Sequence, residues 1–195
     1  MIKMNHIIRE GHPSLTTPSK PVLLPLSQKD IELAKSLLEY VKNSQDEAMV
    51  TKYKLRPSVG LAAPQINQLK RMFAMHVEDM DGTVYSYVMI NPEIIGHTKE
   101  ETYLPGGEGC LSIDRATTGI TPRYYAIKVT GYYLDFNTDT AKPMDMTLEG
   151  YPAIVFQHEY DHLDGVLFID KLYPALPNAF PLFESSNEET PEQET

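Results

Sequence analysis

The chain has 195 residues, 42% of them hydrophobic, which is enough for one domain with a buried core. No segment approaches the roughly 18 consecutive apolar residues of a membrane span, and the N-terminus lacks the apolar run of a secretory signal, so we expect a cytoplasmic protein. The 17 basic and 27 acidic residues give a net charge of −10, which argues against a general nucleic-acid-binding protein, because phosphates require a basic surface.

The first predicted element is an amphipathic helix in the segment Ser27–Asp46, SQKDIELAKSLLEYVKNSQD. Ser27 can cap the helix, and Asp30 falls in the first turn, where the helix dipole favours an anion. One apolar face is formed by residues at helical spacing, namely Ile31, Ala34, Leu37, Leu38 and Val41. We interpret this helix as a packing element without chemistry.

The middle of the chain has the pattern of β-strands. The segments MFAMHV and TVYSYVMI flank the turn sequence Asp79-Met80-Asp81-Gly82, which predicts a β-hairpin. Further strands are predicted in AIKVTGYYLDF from Ala126 and in KPMDMTLEG from Lys142.

A second helix is predicted from Pro152 to His162. Proline suits the first helical position, and Gly165 can terminate the helix. A helix, a series of strands and a second helix indicate an α+β domain, which we place at residues 1–183. Residues 184–195, ESSNEETPEQET, carry five Glu and no basic residue and are predicted to be an acidic disordered tail.

The second helix carries His158-Glu159-Tyr160-Asp161-His162, an H-E-x-x-H sequence. Residues four apart lie on one face of a helix, so both imidazoles can bind one metal ion, and Glu159 can take a proton from a water molecule on that ion. The motif is short enough to occur by chance, so two unrelated helix histidines remain an alternative.

A catalytic metal site needs a third protein ligand. No histidine follows His162, and Asp164 and Asp170 lie close to the helix end, so an ordinary zincin-like endopeptidase lacks a convincing third ligand. Upstream, Cys110 is the only cysteine of the chain, which excludes an internal disulfide. It could be a small buried hydrophobe, but three glycines surround it in Gly106–Ser112, and a thiolate with two imidazoles is a coherent set of ligands for a divalent metal.

A third segment of interest is Val59-Gly-Leu-Ala-Ala-Pro-Gln65. The small residues around Gly60 would let a substrate backbone lie against the chain. Gln65 offers an uncharged N–H donor that could stabilise an oxyanion, although it could also be an ordinary loop residue after a buried strand.

At these three segments the sequence resembles the peptide deformylases, which carry G-x-G-L-A-A-P-Q, E-G-C-L-S and Q-H-E-x-D-H in this order. Here the segments are Ser58–Gln65, Glu108–Ser112 and Gln157–His162, and the resemblance extends loosely from Ile7 to Leu172. The long segment before Ser58 and the residues between Cys110 and Arg123 are more similar to the longer Gram-positive-type enzymes.

The resemblance implies a catalytic domain of mostly antiparallel strands around a metal-binding H-E-x-x-H helix. It implies one divalent ion, Fe²⁺ in cells, with Zn²⁺, Ni²⁺ or Co²⁺ also accepted. The ion would be bound by Cys110, His158 and His162, and its water would be the nucleophile. The resemblance also implies that Glu159 is the general acid/base and that Gln65 and the backbone N–H of Leu111 stabilise the oxyanion. The substrate-binding residues would be Val59, Gly60, Glu108, Gly109, Ile154 and Val155.

The implied reaction removes the formyl group from the N-terminal formylmethionine of newly synthesised polypeptides and releases formate. Nascent peptides, and the ribosome near its exit tunnel, are the expected partners. The chain departs from the family pattern at Ser58, where the family has glycine, so we expect altered substrate fit. A non-catalytic metal-binding or ribosome-associated homologue is a further alternative, but the retention of Glu159 argues against it.

Overall fold

Residues 1–183 are described by a computed structural model, and the predicted acidic tail at 184–195 lies outside the described residues. Helix α1 spans Gln28–Asn43. The Ser27 side chain caps it by accepting a hydrogen bond from the backbone N–H of Asp30. The sequence pattern predicts that this helix continues to Asp46. Instead α1 ends at Asn43, and Asp46 is the N-cap of a second helix, α2, at Glu47–Tyr53.

Five strands form the larger sheet, in the order β1-β2-β3-β6-β7, and each is antiparallel to its neighbours. The strands are β1 (Gly60–Ala62), β2 (Met72–Glu78), β3 (Val84–His97), β6 (Ala126–Asp135) and β7 (Thr140–Glu149). The β2–β3 pairing confirms the predicted hairpin around Asp79–Gly82. Strand β1 has a neighbour on one side only, so it forms an edge of this sheet.

A smaller sheet has the order β5-β4-β8 and consists of β4 (Glu101–Tyr103), β5 (Arg123–Tyr124) and β8 (Ala179–Pro181). Strand β4 is antiparallel to β5 and parallel to β8. The long loop from β4 to β5 carries Cys110. The architecture is therefore α+β with mostly antiparallel strands.

Helix α3 spans Gly150–Leu163, so it begins two residues before Pro152, the predicted first position. The helix ends at Leu163, and Gly165, the predicted terminating residue, has a φ of 73° just beyond it. Unlike α1, this helix is buried on several faces, because it packs against β1, β2, β5 and β7.

The larger sheet lies between α1 and α3. The alternating directions of the side chains along β2 show this arrangement. Met72 and Ala74 pack in the cluster that contains α1, whereas Phe73 and Met75 pack in the cluster that contains α3. Successive side chains of a strand point to opposite faces, so β2 is buried on both. On the α3 face, the rings of Phe73 and Phe156 meet edge to face at 5.0 Å. Within the described part of the chain, no helix combines the length and apolar character needed to cross a membrane.

Candidate metal centre and active site

Three side chains meet at the centre of the molecule. His158 and His162 lie one turn apart on α3, and Cys110 approaches them from the β4–β5 loop. The loop is held from outside by Arg56, whose guanidinium donates to the backbone carbonyl of Cys110 at 2.8 Å. One ligand atom from each of the three residues lies within 4.8 Å of the others. The structure therefore brings together the three residues that the sequence predicts as metal ligands.

The cluster fits a divalent metal ion. Sγ of Cys110 lies 3.3 Å from Nε2 of His162, close to the roughly 3.6 Å expected when sulfur and nitrogen bind one tetrahedral ion. Nδ1 of His158 is engaged with Glu108 at 2.8 Å, which leaves Nε2 available as a ligand. Burial alone would raise the pKa of the Cys110 thiol, but the neighbouring histidines outweigh it and hold the pKa well below its usual value. A thiolate is the form that binds metal.

Among the described residues, no histidine or carboxylate after His162 joins this cluster. The third member of the cluster is the upstream Cys110, and this arrangement differs from the one that a zincin-like endopeptidase would require. The endopeptidase alternative therefore has no support from the geometry.

Glu159 is buried beside the cluster, and its Oε2 atom has no hydrogen-bond partner among the described residues. Burial raises the pKa of this carboxyl to about 7. A cation on the adjacent ligands would favour the ionised form and lower that pKa. A carboxyl group in the cavity wall that can hold or release a proton near neutral pH, and that has an oxygen without a hydrogen-bond partner among the described residues, has the properties of a general acid/base.

Gln65 is fully buried, and its orientation is determined by its hydrogen bonds. The side-chain oxygen accepts from the backbone N–H of Ala62 at 2.9 Å, so the amide nitrogen must point the other way. That nitrogen lies 3.3 Å from Sγ of Cys110 and 3.2 Å from Oγ of Ser112. Gln65 therefore contacts a metal ligand directly, which the sequence analysis did not anticipate.

A chain of charged side chains, buried at Glu108 and Arg123 and more exposed toward Lys171, supports His158. Arg123 donates to both carboxylate oxygens of Glu108, at 2.7 and 2.8 Å, and to Asp161 at 2.6 Å. Lys171 completes the chain by donating to both oxygens of Asp161. Burial would raise the pKa of Glu108, but Arg123 and His158 lower it to about 2, so this carboxylate stays ionised. An ionised carboxylate on Nδ1 of a metal-ligating histidine orients the ring and increases its basicity.

The sequence analysis missed Arg123, Asp161 and Lys171 as supporting residues. Asp161 lies inside the H-E-x-x-H segment, three residues after His158, and this is the one local signal that could have identified it. Glu108 was predicted as a pocket residue, and it has a second role because it also bonds His158.

The cluster opens into a cavity of about 330 Å³. The cavity wall includes Cys110, His158, Glu159 and Gln65, together with Leu111, whose side chain is buried. All six predicted substrate-binding residues also line it, namely Val59, Gly60, Glu108, Gly109, Ile154 and Val155. The remaining wall is mixed, but the cavity surface as a whole is mainly apolar, so the cavity suits an apolar side chain next to a reactive polar group.

Comparison with known proteins gives a consistent result. A family model described as polypeptide deformylase matches residues 4–177. Peptide deformylase 2 of Geobacillus stearothermophilus is 51% identical over 181 residues, which cover 93% of this chain and 96% of the relative. Peptide deformylase 2 of Bacillus subtilis is 50% identical over 172 residues, with 88% and 91% covered.

Solved structures of peptide deformylases have a similar fold. A peptide deformylase from Thermotoga maritima has a TM-score of 0.62 at 33% identity, covering 86% of this chain and 97% of that one. The Met-Ala-Ser-bound class I type b peptide deformylase from Acinetobacter baumannii has a TM-score of 0.65 at 26% identity, with 85% and 96% covered. These matches confirm the family predicted from the three motifs.

Proposed function

This chain belongs to the polypeptide deformylase family, and we propose that it hydrolyses the N-formyl group of N-formylmethionyl peptides with the residues around Cys110, His158 and His162. The observation that carries the proposal is the position of Glu159, a buried carboxyl with a free oxygen beside these three ligands. A structural metal site has no need for an acid/base group at that point.

Cys110, His158 and His162 would hold one divalent cation, for which we propose Fe²⁺, while Zn²⁺, Ni²⁺ or Co²⁺ would suit the same ligands. When bound, the cation would supply a nucleophile near neutral pH by lowering the pKa of water, and it would polarise the formyl oxygen. Glu108 holds Nδ1 of His158, so the imidazole is oriented before the cation arrives.

Glu159 would move the proton. Its carboxylate accepts a proton from the attacking water and then delivers it to the amine nitrogen that leaves. Burial raises the pKa of Glu159, and a bound cation would lower it again, which favours the carboxylate that accepts the first proton. The products are formate and a free N-terminal amine.

Gln65 and the backbone N–H of Leu111 would stabilise the formyl oxygen as it becomes negative. The amide nitrogen of Gln65 already points toward the cluster, because its carbonyl oxygen is held by Ala62. Since Leu111 directly follows Cys110, its N–H lies next to a ligand. Both donors are uncharged N–H groups, so neither competes with the three ligands for the cation.

The apolar part of the cavity would bind the methionine side chain. Ile154, Val155 and the stem of Glu108 line it, and an unbranched thioether fits an apolar pocket of this kind. The tripeptide Met-Ala-Ser in the related Acinetobacter structure supports a peptide that begins with methionine. Formylated methionine marks nascent chains, so we propose that the protein acts on them in the cytoplasm, near the ribosomal exit tunnel.

The test is release of formate from formyl-Met-Ala-Ser by the protein loaded with Fe²⁺ under anaerobic conditions or with Ni²⁺. We expect formate and free Met-Ala-Ser in equal amounts. The acetylated peptide, which presents a larger acyl group, is the control substrate. The Glu159→Gln variant should keep its metal and lose about 10²–10⁴ in turnover. Cleavage at an internal peptide bond would favour an endopeptidase, and a metal-loaded protein that releases no formate would favour a non-catalytic homologue.

A further inference from the structure

Ser58 makes hydrogen bonds to the edge of the sheet that borders the cavity. Its Oγ donates to the backbone carbonyl of Gly60 at 2.6 Å and accepts from the backbone N–H of the same residue at 3.4 Å. One hydroxyl therefore engages both backbone polar groups of Gly60. Both residues line the cavity.

These two backbone groups face away from the sheet. The N–H of His76 on β2 donates to the carbonyl of Val59, so Val59 faces β2, and backbone groups of the next residue in an antiparallel strand point in the opposite direction. Ala62 follows the same alternation, because its N–H bonds the Gln65 side chain. Gly60 thus presents the free edge of β1 to the cavity, and an extended peptide commonly adds to such an edge.

The backbone of Ser58 is fixed, so only its side chain can move. The Ser44 hydroxyl accepts from the N–H of Ser58 at 3.1 Å and lies 3.2 Å from the Ser58 carbonyl oxygen, while its single hydrogen is donated to the nearer Val41 carbonyl at 2.8 Å. Gln45 donates from its side-chain amide to the same carbonyl at 3.0 Å. These residues directly follow α1, so the end of that helix holds Ser58 in place.

We propose that Ser58 limits the affinity of the cavity for peptide substrates, because its hydroxyl competes with the substrate backbone for the carbonyl and N–H of Gly60. A peptide that pairs with this edge must first turn the hydroxyl away. The bond from the hydroxyl to the Gly60 carbonyl, at 2.6 Å, is much shorter than the contact with the Gly60 N–H, at 3.4 Å, so the competition bears mainly on a substrate N–H that bonds this carbonyl. The inference rests on the proposed function, because it assumes that a formylated peptide occupies this cavity.

Removal of the Ser58 hydroxyl should increase the affinity for the peptide by a modest amount. Ser58→Ala removes the competitor and leaves the Gly60 groups free for the peptide. The net worth of one neutral hydrogen bond corresponds to about a twofold to tenfold change in affinity. The Michaelis constant for formyl-Met-Ala-Ser should therefore fall by about twofold to tenfold, and the turnover number should change by less. The dissociation constant of the product Met-Ala-Ser, measured by calorimetry, should fall in parallel.

Two further variants sharpen the comparison. Ser58→Thr retains the hydroxyl and should bind like the wild type. Ser86→Ala removes a hydroxyl on β3 that has no hydrogen-bond partner among the described residues. It should leave the Michaelis constant and the dissociation constant of the product unchanged. If thermal unfolding shows that Ser58→Ala is not folded, Ser58→Gly provides the same test.

An unchanged or raised Michaelis constant in folded Ser58→Ala, with an active wild type, would overturn the inference and leave the proposed function intact. A raised constant would mean that the hydroxyl organises the edge for the peptide. A wild type that is loaded with metal and releases no formate would instead overturn the proposed function, and with it this inference.

Discussion

Gly60 lies directly against the carboxylate of Glu159, so closely that a Cβ atom on Gly60 would be 2.4 Å from Oε1. The contact joins the edge strand to the proposed acid/base. The contact involves Oε1, Cδ and Cγ of Glu159, so a Cβ atom on Gly60 would force this buried side chain to shift. The position of the acid/base is thus defined by the absence of a side chain on a neighbouring strand.

We therefore expect Gly60→Ala to displace Glu159 and to lower turnover by an amount close to the loss of a general base, about 10²–10⁴. Metal content should stay normal, because no ligand is touched. The matched control is Gly106→Ala, since a Cβ at Gly106 meets no atom within 4 Å. Steady-state formate release with metal analysis checks this. Normal turnover in Gly60→Ala would show that the carboxylate can adapt or is not needed.

Removal of the thiolate should release the metal. Cys110→Ala leaves two imidazoles, and we expect metal occupancy after purification and dialysis to fall strongly. Because Cys110 is the only cysteine, a thiol reagent reports on this site alone in the wild type. Its reaction should be slow in the metal-loaded protein and faster after chelation. Full occupancy in Cys110→Ala, or a reaction rate independent of chelation, would contradict the ligand assignment.

Gln65→Ala should lower the turnover number more than it raises the Michaelis constant. The amide donor would act on a charge that develops only in the transition state, and loss of such a donor costs roughly 10²–10³ in turnover. Gln65→Glu should be worse, because a carboxylate repels that charge and can coordinate the metal. Since Gln65 also contacts Sγ of Cys110, metal content must be measured in both variants. A raised Michaelis constant with intact turnover would assign Gln65 to substrate binding in the ground state.

Arg123 should be important for both stability and metal affinity. Arg123→Met removes the buried partner that Glu108 and the part-buried Asp161 share, so that Glu108 keeps only His158 and Asp161 only Lys171, and we expect a loss of about 3–5 kcal/mol in the free energy of unfolding. Metal affinity should fall about 10–100-fold through His158. Denaturant unfolding and metal competition measure the two effects. Arg115→Met, which breaks an exposed pair with Glu10, is the control and should change little. Equal stability of the two variants would refute the proposed importance of the buried chain.

Asp30 provides a pH test away from the metal centre. Burial would raise the pKa of Asp30, but hydrogen bonds from Lys70 and Ser27 outweigh it and hold the pKa below its usual value. A lowered folded-state pKa stabilises the protein above the unfolded-state pKa and loses that contribution as the pH falls through the folded-state value. Asp30→Asn should thus cost about 1 kcal/mol at pH 7, with the difference from the wild type shrinking below about pH 4. Asp145→Asn, at an exposed pair with Lys128, should show little difference at either pH. A difference that does not vary with pH would mean that the charge of Asp30 is irrelevant.

Local patterns predicted the elements of this fold better than their ends. The hairpin around Asp79–Gly82 follows from alternation and turn residues, and the structure confirms it. The predicted end of α1 was wrong. The Ser44 hydroxyl bonds back to the Val41 carbonyl, and Asp46 starts a new helix. Hydrophobic periodicity does not distinguish one continuous helix from two successive helices. The break between α1 and α2 depends on hydrogen bonds of particular capping residues, which periodicity does not record.

In the candidate site, residues that lie close together in the sequence were easier to predict than residues that meet only in the fold. Two histidines four residues apart on a helix are local, whereas Cys110 lies 48 residues before His158 and was assigned through a family resemblance. The chain of charges through Arg123 joins a loop, a short strand and α3. No spacing in the sequence predicts that an arginine is buried between two carboxylates, because that contact exists only after the small sheet has packed against the helix.

Glu108 forms part of the cavity wall and also holds His158, and this has a consequence for how the protein can evolve. A substitution at this position would change the side-chain preference of the pocket and the electronic character of a metal ligand in a single step. Ile154, Val155 and Leu104 carry no hydrogen-bonding side chain, so they can vary in size without that second effect. We therefore expect substrate preference to be altered most readily by substitutions on the apolar side of the cavity, because changes at Glu108 would also disturb His158.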